Sequence, residues 1–160
     1  MNFPGVDIID LNDPLLQKRG DRSLDLIRNP QDTPIDHPLY FWLLWTAKEA
    51  AYKSVRGTAP FSPKNMVIQL HHTENDLSFD WNNTSGKFEI KDDYVFAYIN
   101  CVEYLIIEAR PKNWSTEIRN HIEQQLGQTV GADTKGLPVL ASTAQPISLT
   151  HHGRFGAFGL

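Results

Sequence analysis

Glu49 and Lys53 stand four positions apart in Trp45-Thr46-Ala47-Lys48-Glu49-Ala50-Ala51-Tyr52-Lys53, an Ala-rich stretch free of Gly and Pro. Its composition, continuing an apolar run that begins near Leu39, predicts a helix. On that helix Trp45, Glu49 and Lys53 line one face, and a Glu four residues before a Lys is the favourable order for a side-chain pair. Taken alone, the pair reads as a surface ion pair on an amphipathic helix. Whether it does chemistry depends on what accompanies it elsewhere in the chain.

A second candidate lies at the N-terminus. Gly5-Val6-Asp7-Ile8-Ile9-Asp10-Leu11 is a short apolar run rich in β-branched residues, bounded by Gly before it and Asn-Asp-Pro after it, which predicts a strand. Alternation puts Val6, Ile8 and Asp10 on one side and Asp7, Ile9 and Leu11 on the other. An acid beside a core stripe is costly unless it is paired, hydrogen-bonded or bound to a cation; Asp7 capping a turn is the plainer alternative. A third segment closes the chain: Pro146-Ile147-Ser148-Leu149-Thr150-His151-His152-Gly153-Arg154-Phe155-Gly156-Ala157-Phe158, with a turn expected around His152-Gly153.

These segments, in this order, resemble the signature of the 4'-phosphopantetheinyl transferase superfamily. That signature is Gly-(Ile/Val)-Asp on a strand, (Trp/Phe)-x-x-Lys-Glu-(Ala/Ser)-x-x-Lys on a helix, and a Ser-(Leu/Ile)-(Ser/Thr)-His hairpin. Ile118 to Gly127 and Lys135-Gly136-Leu137-Pro138 look like the helix and Gly-x-Pro stretch before the hairpin. Only about residues 70 to 112 carry no recognisable motif. In the long, two-lobed members, similar to the activators of surfactin synthetase, the Ser-x-(Ser)-His segment comes first. Here it comes last, as in the short members that resemble holo-acyl-carrier-protein synthase.

The resemblance implies a fold, a reaction and a site. The fold would be α+β, 4'-phosphopantetheinyl transferase-like, with an antiparallel sheet and packed helices. The reaction would move 4'-phosphopantetheine from coenzyme A to a serine of an apo-acyl-carrier protein and release 3',5'-ADP, serving fatty acid, polyketide or peptide biosynthesis. Displacement at a pyrophosphate needs charge neutralised, which Mg²⁺ supplies, and Mg²⁺ usually takes one or two protein carboxylates. Asp7 and Glu49 are the implied metal ligands, and Glu49 and Lys53 the catalytic pair. Ser148, His151, Lys48 and Lys135 are the implied contacts to the coenzyme, with Pro138 beside them. Where long members carry another acid, this chain has Ile9; Asp10 falls on the opposite strand face and reads as structural or interfacial. His152 replaces a residue that is more often small or acidic. Short members are trimers with shared sites, so the resemblance implies a homotrimer in which Asp7, Glu49 and Lys53 face Ser148 and His151 of a neighbour. Carrier proteins are acidic around their serine, and Lys18, Arg19, Arg22 and Arg28 form the densest basic stretch to receive one, although Asp21 and Asp25 interleave. The competing reading is a non-catalytic module that binds coenzyme A or a carrier protein.

Composition fits an ordinary cytoplasmic domain spanning residues 1–160. A chain of 160 residues, 41% of them hydrophobic, suits one domain with a real core. No cationic start leads into a long apolar stretch, and no apolar run approaches the length that spans a membrane. A single cysteine, Cys101, excludes an intrachain disulfide or a cysteine-based zinc site. The formal net charge of −4 argues against general nucleic-acid binding. His71-His72 and His151-His152 are adjacent pairs, which on a strand point to opposite faces and do not favour zinc.

The remaining pattern supplies the elements that must hold these groups. Asp13-Pro14 is placed to open a short helix. The signature helix is expected from near His37-Pro38 to about Val55, with Gly57 past its end. Strands are expected at Met66–His71, Leu77–Trp81, Lys87–Ile90, Tyr94–Asn100 and Glu103–Ala109, with a turn through Asn82–Gly86. Ser115, Ile118, Ile122 and Leu126 predict a capped amphipathic helix ending at Gly127.

Overall fold

The computed structural model describes residues 3–16, 22–57 and 59–160. Its elements are β1 (Gly5–Asp10), α1 (Arg22–Ile27), α2 (Tyr40–Val55), β2 (Gln69–His72), β3 (Leu77–Trp81), β4 (Thr84–Ile90), β5 (Tyr94–Ile99), β6 (Tyr104–Glu108), α3 (Trp114–Leu126), β7 (Val130–Ala132), β8 (Pro138–Leu140), β9 (Ser148–His152) and β10 (Phe155–Gly159). All strand pairs are antiparallel, in sheets ordered β1-β5-β4-β3-β2, β6-β10-β9 and β7-β8. The α+β expectation holds. Among the described residues no helix is long and apolar enough to cross a membrane.

The stretch without a motif supplies four strands of the large sheet and β6. Leu77–Trp81 forms the strand its alternation predicts. The turn after it is tighter than expected: Trp81 pairs with Thr84, and Asn82 and Asn83 both take positive φ. Two such residues make the hairpin turn whose twist suits its strands, and Asn tolerates that conformation.

All six residues of β1 are buried. One edge pairs with β5 from Gly5↔Ile99 to Asp10↔Tyr94. The other edge meets the side chains of β9 instead of a backbone ladder. Ser148 Oγ accepts the Val6 N–H at 3.0 Å, and His152 Nδ1 accepts the Asp10 N–H at 3.1 Å. Between them the Thr150 hydroxyl donates to Asp7 Oδ1 at 3.0 Å. Strand alternation explains the set, since residues 148, 150 and 152 share one face of β9.

Helix α2 lies on β1 and the large sheet, with Leu43, Leu44, Ala47, Ala50 and Ala51 fully buried. Small residues let strand and helix come close: a Cβ at Gly5 would sit 2.0 Å from the Ala50 carbonyl oxygen. The helix ends at Val55 as expected, with Arg56 as its left-handed cap at φ 47 and the Arg56 N–H on the Lys53 carbonyl. A second core, of Ile107, Ile118, Ile122, Leu140, Ile147 and Phe158, packs α3 onto the small sheet. Asn113, not Ser115, caps α3 by accepting the Thr116 N–H. Gly127, at φ 66, closes the helix where expected. Asp13 accepts the Leu15 N–H at 2.9 Å, closing a turn.

Candidate active site

Asp7 and Glu49 reach one cleft from different elements, together with Lys53. Strand β1 contributes Asp7, Ile8 and Ile9, α2 contributes Trp45, Glu49 and Lys53, and β9 contributes Leu149 to His152. Lys53 Nζ lies 2.9 Å from Asp7 Oδ1 and 3.0 Å from the Val6 carbonyl oxygen. The Asp7 side chain is 9% exposed and that of Lys53 28%. The ion pair of Lys53 is thus with Asp7, across the helix–strand contact. Burial raises the Glu49 pKa, Asp7's negative charge raises it further, and Lys53 opposes both. Glu49 is therefore close enough to Asp7 to feel its charge.

His151 sits on the cleft wall with its ring stacked on Trp114, centroids 6.3 Å apart and 13° between planes. Its pKa falls below the ordinary histidine value because of burial, then the positive charge of Lys53 and the neighbouring His152. The imidazole is accordingly neutral at pH 7. Ser148 is buried, and its oxygen is engaged by the Val6 N–H.

A second, more apolar cavity adjoins the first, and Lys53 and Leu149 line both. Its other walls include Tyr52, Arg56, Leu137, Pro138, Ile147 and Ser148. Arg56 braces it, bonded to Asp133 at 3.1 Å and to the Pro138 carbonyl. The pair of cavities suits a ligand with one charged and one apolar portion.

One expectation needs correction. Lys48 does not line the cleft: its side chain is fully buried, with its ammonium 2.7 Å from Asp32 Oδ2. It also donates to the carbonyls of Ile27, Pro63 and Met66 at 2.9, 2.9 and 2.8 Å. An ammonium has three protons, and four protein acceptors already surround this one. Ser148 and His151 of the same chain stand beside β1, Ser148 through the Val6 N–H and His151 on the cleft wall with Asp7. His152, where the resemblance more often has a small or acidic residue, ties the hairpin to β1 by accepting the Asp10 N–H.

Lys135 is exposed in the β7–β8 turn and lines neither cavity, while Leu137 and Pro138, just beyond it, do line one. Asp10 is structural, as its strand face suggested: both its oxygens take the Arg154 guanidinium at 3.0 Å. Of the expected basic docking stretch, Lys18, Arg19 and the Arg22 side chain lie outside the described residues. Among the described residues no three His, Cys, Asp or Glu side chains converge on one metal position. Asp7 and Glu49 remain a two-carboxylate donor set of hard oxygens, which fits Mg²⁺ completed by substrate and water.

A family model, the 4'-phosphopantetheinyl transferase superfamily, matches residues 4–99. The chain belongs to the 4'-phosphopantetheinyl transferase superfamily. The matched span includes Asp7, Glu49 and Lys53 and ends before β9. No curated protein and no solved structure matches the chain. Superfamily membership implies a transferase, and the cleft is where its side chains gather. Thr150, within the hairpin motif, had no assigned role, and Arg56 escaped the sequence reading. Thr150 was legible in principle, two residues from Ser148 and so on the same strand face; Arg56 lies one helical turn beyond Lys53 but belongs to no motif.

Proposed function

We propose that this superfamily member transfers 4'-phosphopantetheine from coenzyme A to a serine of an apo-acyl-carrier protein. The serine oxygen attacks the phosphorus that bears the pantetheine arm. The bond from that phosphorus to the bridging oxygen breaks, and 3',5'-ADP leaves. The observation that carries this reading is the meeting of Asp7, Glu49 and Lys53 with His151 on one cleft beside a second, apolar cavity.

Asp7 and Glu49 would hold Mg²⁺, which when bound neutralises charge on the phosphates. Glu49, in the same cleft, is placed to take the serine proton, directly or through a metal-bound water. Lys53, one helical turn on, is placed to move from Asp7 toward an incoming phosphate. His151, neutral, is a hydrogen-bonding partner at the cleft wall and Ser148 a fixed wall residue. The apolar cavity suits the nucleotide or pantetheine part of coenzyme A, and Lys135, two residues before Leu137 in its wall, is a further contact to the coenzyme. A cytoplasmic location, an acidic carrier and a homotrimer belong to the same proposal.

The test is transfer of labelled phosphopantetheine from coenzyme A to an apo-carrier, with and without Mg²⁺. Transfer that requires the metal supports the reading. Binding of coenzyme A or carrier without turnover would instead identify a non-catalytic module.

A further inference from the structure

Lys48 precedes Glu49 in the chain, yet the two side chains leave α2 in different directions. Glu49 lines the cleft, whereas Lys48 is wholly buried against three separate segments. Its ammonium joins the end of α1 (Ile27), the turn carrying Asp32, and the 63–66 turn. Asp32 extends the junction. Its Oδ2 accepts the Asn29 N–H at 2.7 Å and its Oδ1 the Ile68 N–H at 2.8 Å. Both side chains of the ion pair are 0% exposed.

A buried pair of this kind is weak support for stability, since removing two charges from water offsets most of their attraction. Its geometry is another matter. Four acceptors from three segments converge on one point of the helix, so α2 cannot turn about its axis without breaking several bonds together. The neighbouring residue on that helix is the one whose carboxylate must meet Asp7. We propose that Lys48 and Asp32 are positioning residues: the buried pair sets the rotation of α2 on β1 and thereby holds Glu49 toward Asp7. The effect on turnover rests on the transferase reading above; the effect on helix orientation does not. Positioned groups need to be held within roughly 10–20° of their working direction, so a small rotation of α2 is enough to matter.

The experiment compares the wild type with Lys48→Met/Asp32→Asn, which removes both charges and keeps similar volumes and one acceptor for the nearby N–H groups. Lys48→Arg/Asp32→Glu serves as a second variant that retains the charges but alters the geometry. Circular dichroism and thermal melting establish folding. Residual dipolar couplings then measure the orientation of α2 against β1, without substrate or metal. We expect folded protein with α2 reoriented by about 10° or more, and kcat reduced at least about tenfold with KM for the carrier changed less than about threefold. A purely structural pair would lower the melting temperature and leave α2 orientation and kcat of the folded protein unchanged; that result overturns the proposal. Should the apolar variant fail to fold, the charge-retaining one decides in the same way. If the wild type transfers nothing to any carrier, the transferase reading fails, and the couplings still decide the positioning claim.

Discussion

Thr150 on β9 donates its hydroxyl to Asp7 on β1 at 3.0 Å, to the same Oδ1 atom that Lys53 on α2 approaches at 2.9 Å. One carboxylate oxygen therefore joins the first motif, the signature helix and the C-terminal hairpin, although 143 positions separate the two bonded residues in the chain.

Thr150→Val keeps the shape and removes the hydroxyl. A hydrogen bond to a charged group contributes about 1.5–3 kcal/mol, so the variant should lose about that much in denaturant unfolding. Thr150→Ser should recover most of the loss. Equal stability of the Val variant and the wild type would show that the Asp7 contact carries no weight.

Glu49→Gln should act in opposite directions on stability and on turnover. A carboxyl whose pKa is higher folded than unfolded favours folding below the unfolded value and loses that contribution as pH rises through the folded one. At neutral pH, ionised Glu49 is thus held at a cost, beside Asp7 and partly out of water. The Gln variant should melt higher than the wild type in metal-free buffer at pH 7, and the difference should shrink as pH falls into the ordinary carboxylate range. Turnover should fall by at least about a hundredfold, the low end for loss of an acid-base group. Wild-type turnover would remove Glu49 from the chemistry.

Gly5→Ala tests the close approach beneath the site. The added Cβ would lie 2.0 Å from the Ala50 carbonyl oxygen and 2.9 Å from the Ser54 nitrogen, both backbone atoms. Strand and helix must separate, and with them Asp7 and Glu49. Overpacking of this kind costs about 1–3 kcal/mol, measurable as a lower denaturant midpoint together with weaker transfer. An unchanged midpoint would mean that the strand–helix contact yields freely.

Much of this was legible because local patterns and motifs agreed. Alternation found Leu77–Trp81, and the spacing of Glu49 and Lys53 was right for one helical face. What escaped was tertiary. Lys48 sits in the motif as a cation next to Glu49, and nothing in its local spacing reveals that Asp32, sixteen positions earlier, buries with it. Its burial follows from three segments meeting behind α2. His152 looked like a departure from the family pattern until the bare edge of β1 supplied its acceptor role. The left-handed cap of α2 is Arg56, whose guanidinium is held by Asp133 and the Pro138 carbonyl. That anchorage lies 77 positions or more along the chain.

His151 should titrate below the usual histidine value of 6.5. Burial is the first cause and the positive charge of Lys53 the second, so Lys53→Met should move the midpoint upward while leaving it under the ordinary value. Imidazole proton shifts followed against pH measure both. A midpoint at or above 6.5 in the wild type, or no change in the variant, would mean that Lys53 and His151 do not share the cleft in solution.

The assembly can be separated from the site by mixing variants. The motif order implies a trimer with the hairpin of one subunit completing the site of another. Within the folded chain, however, β9 is fastened to β1 by the Ser148–Val6, Thr150–Asp7 and His152–Asp10 hydrogen bonds. Handing this hairpin to a neighbour would break all three and uncover the edge of β1, whose backbone groups then need other partners. Each chain should therefore carry its own complete set of side chains, whatever the oligomer. The expected outcome is that Glu49→Gln mixed with a Thr150→Val/His151→Ala variant regains no activity, even after unfolding and refolding the two together. A shared site would instead yield mixed oligomers in which one cleft escapes both lesions, and recovered transfer would overturn the single-chain site. Sedimentation of the same samples gives the oligomeric state independently. A trimer without recovery would mean that the subunits associate through surfaces away from the cleft.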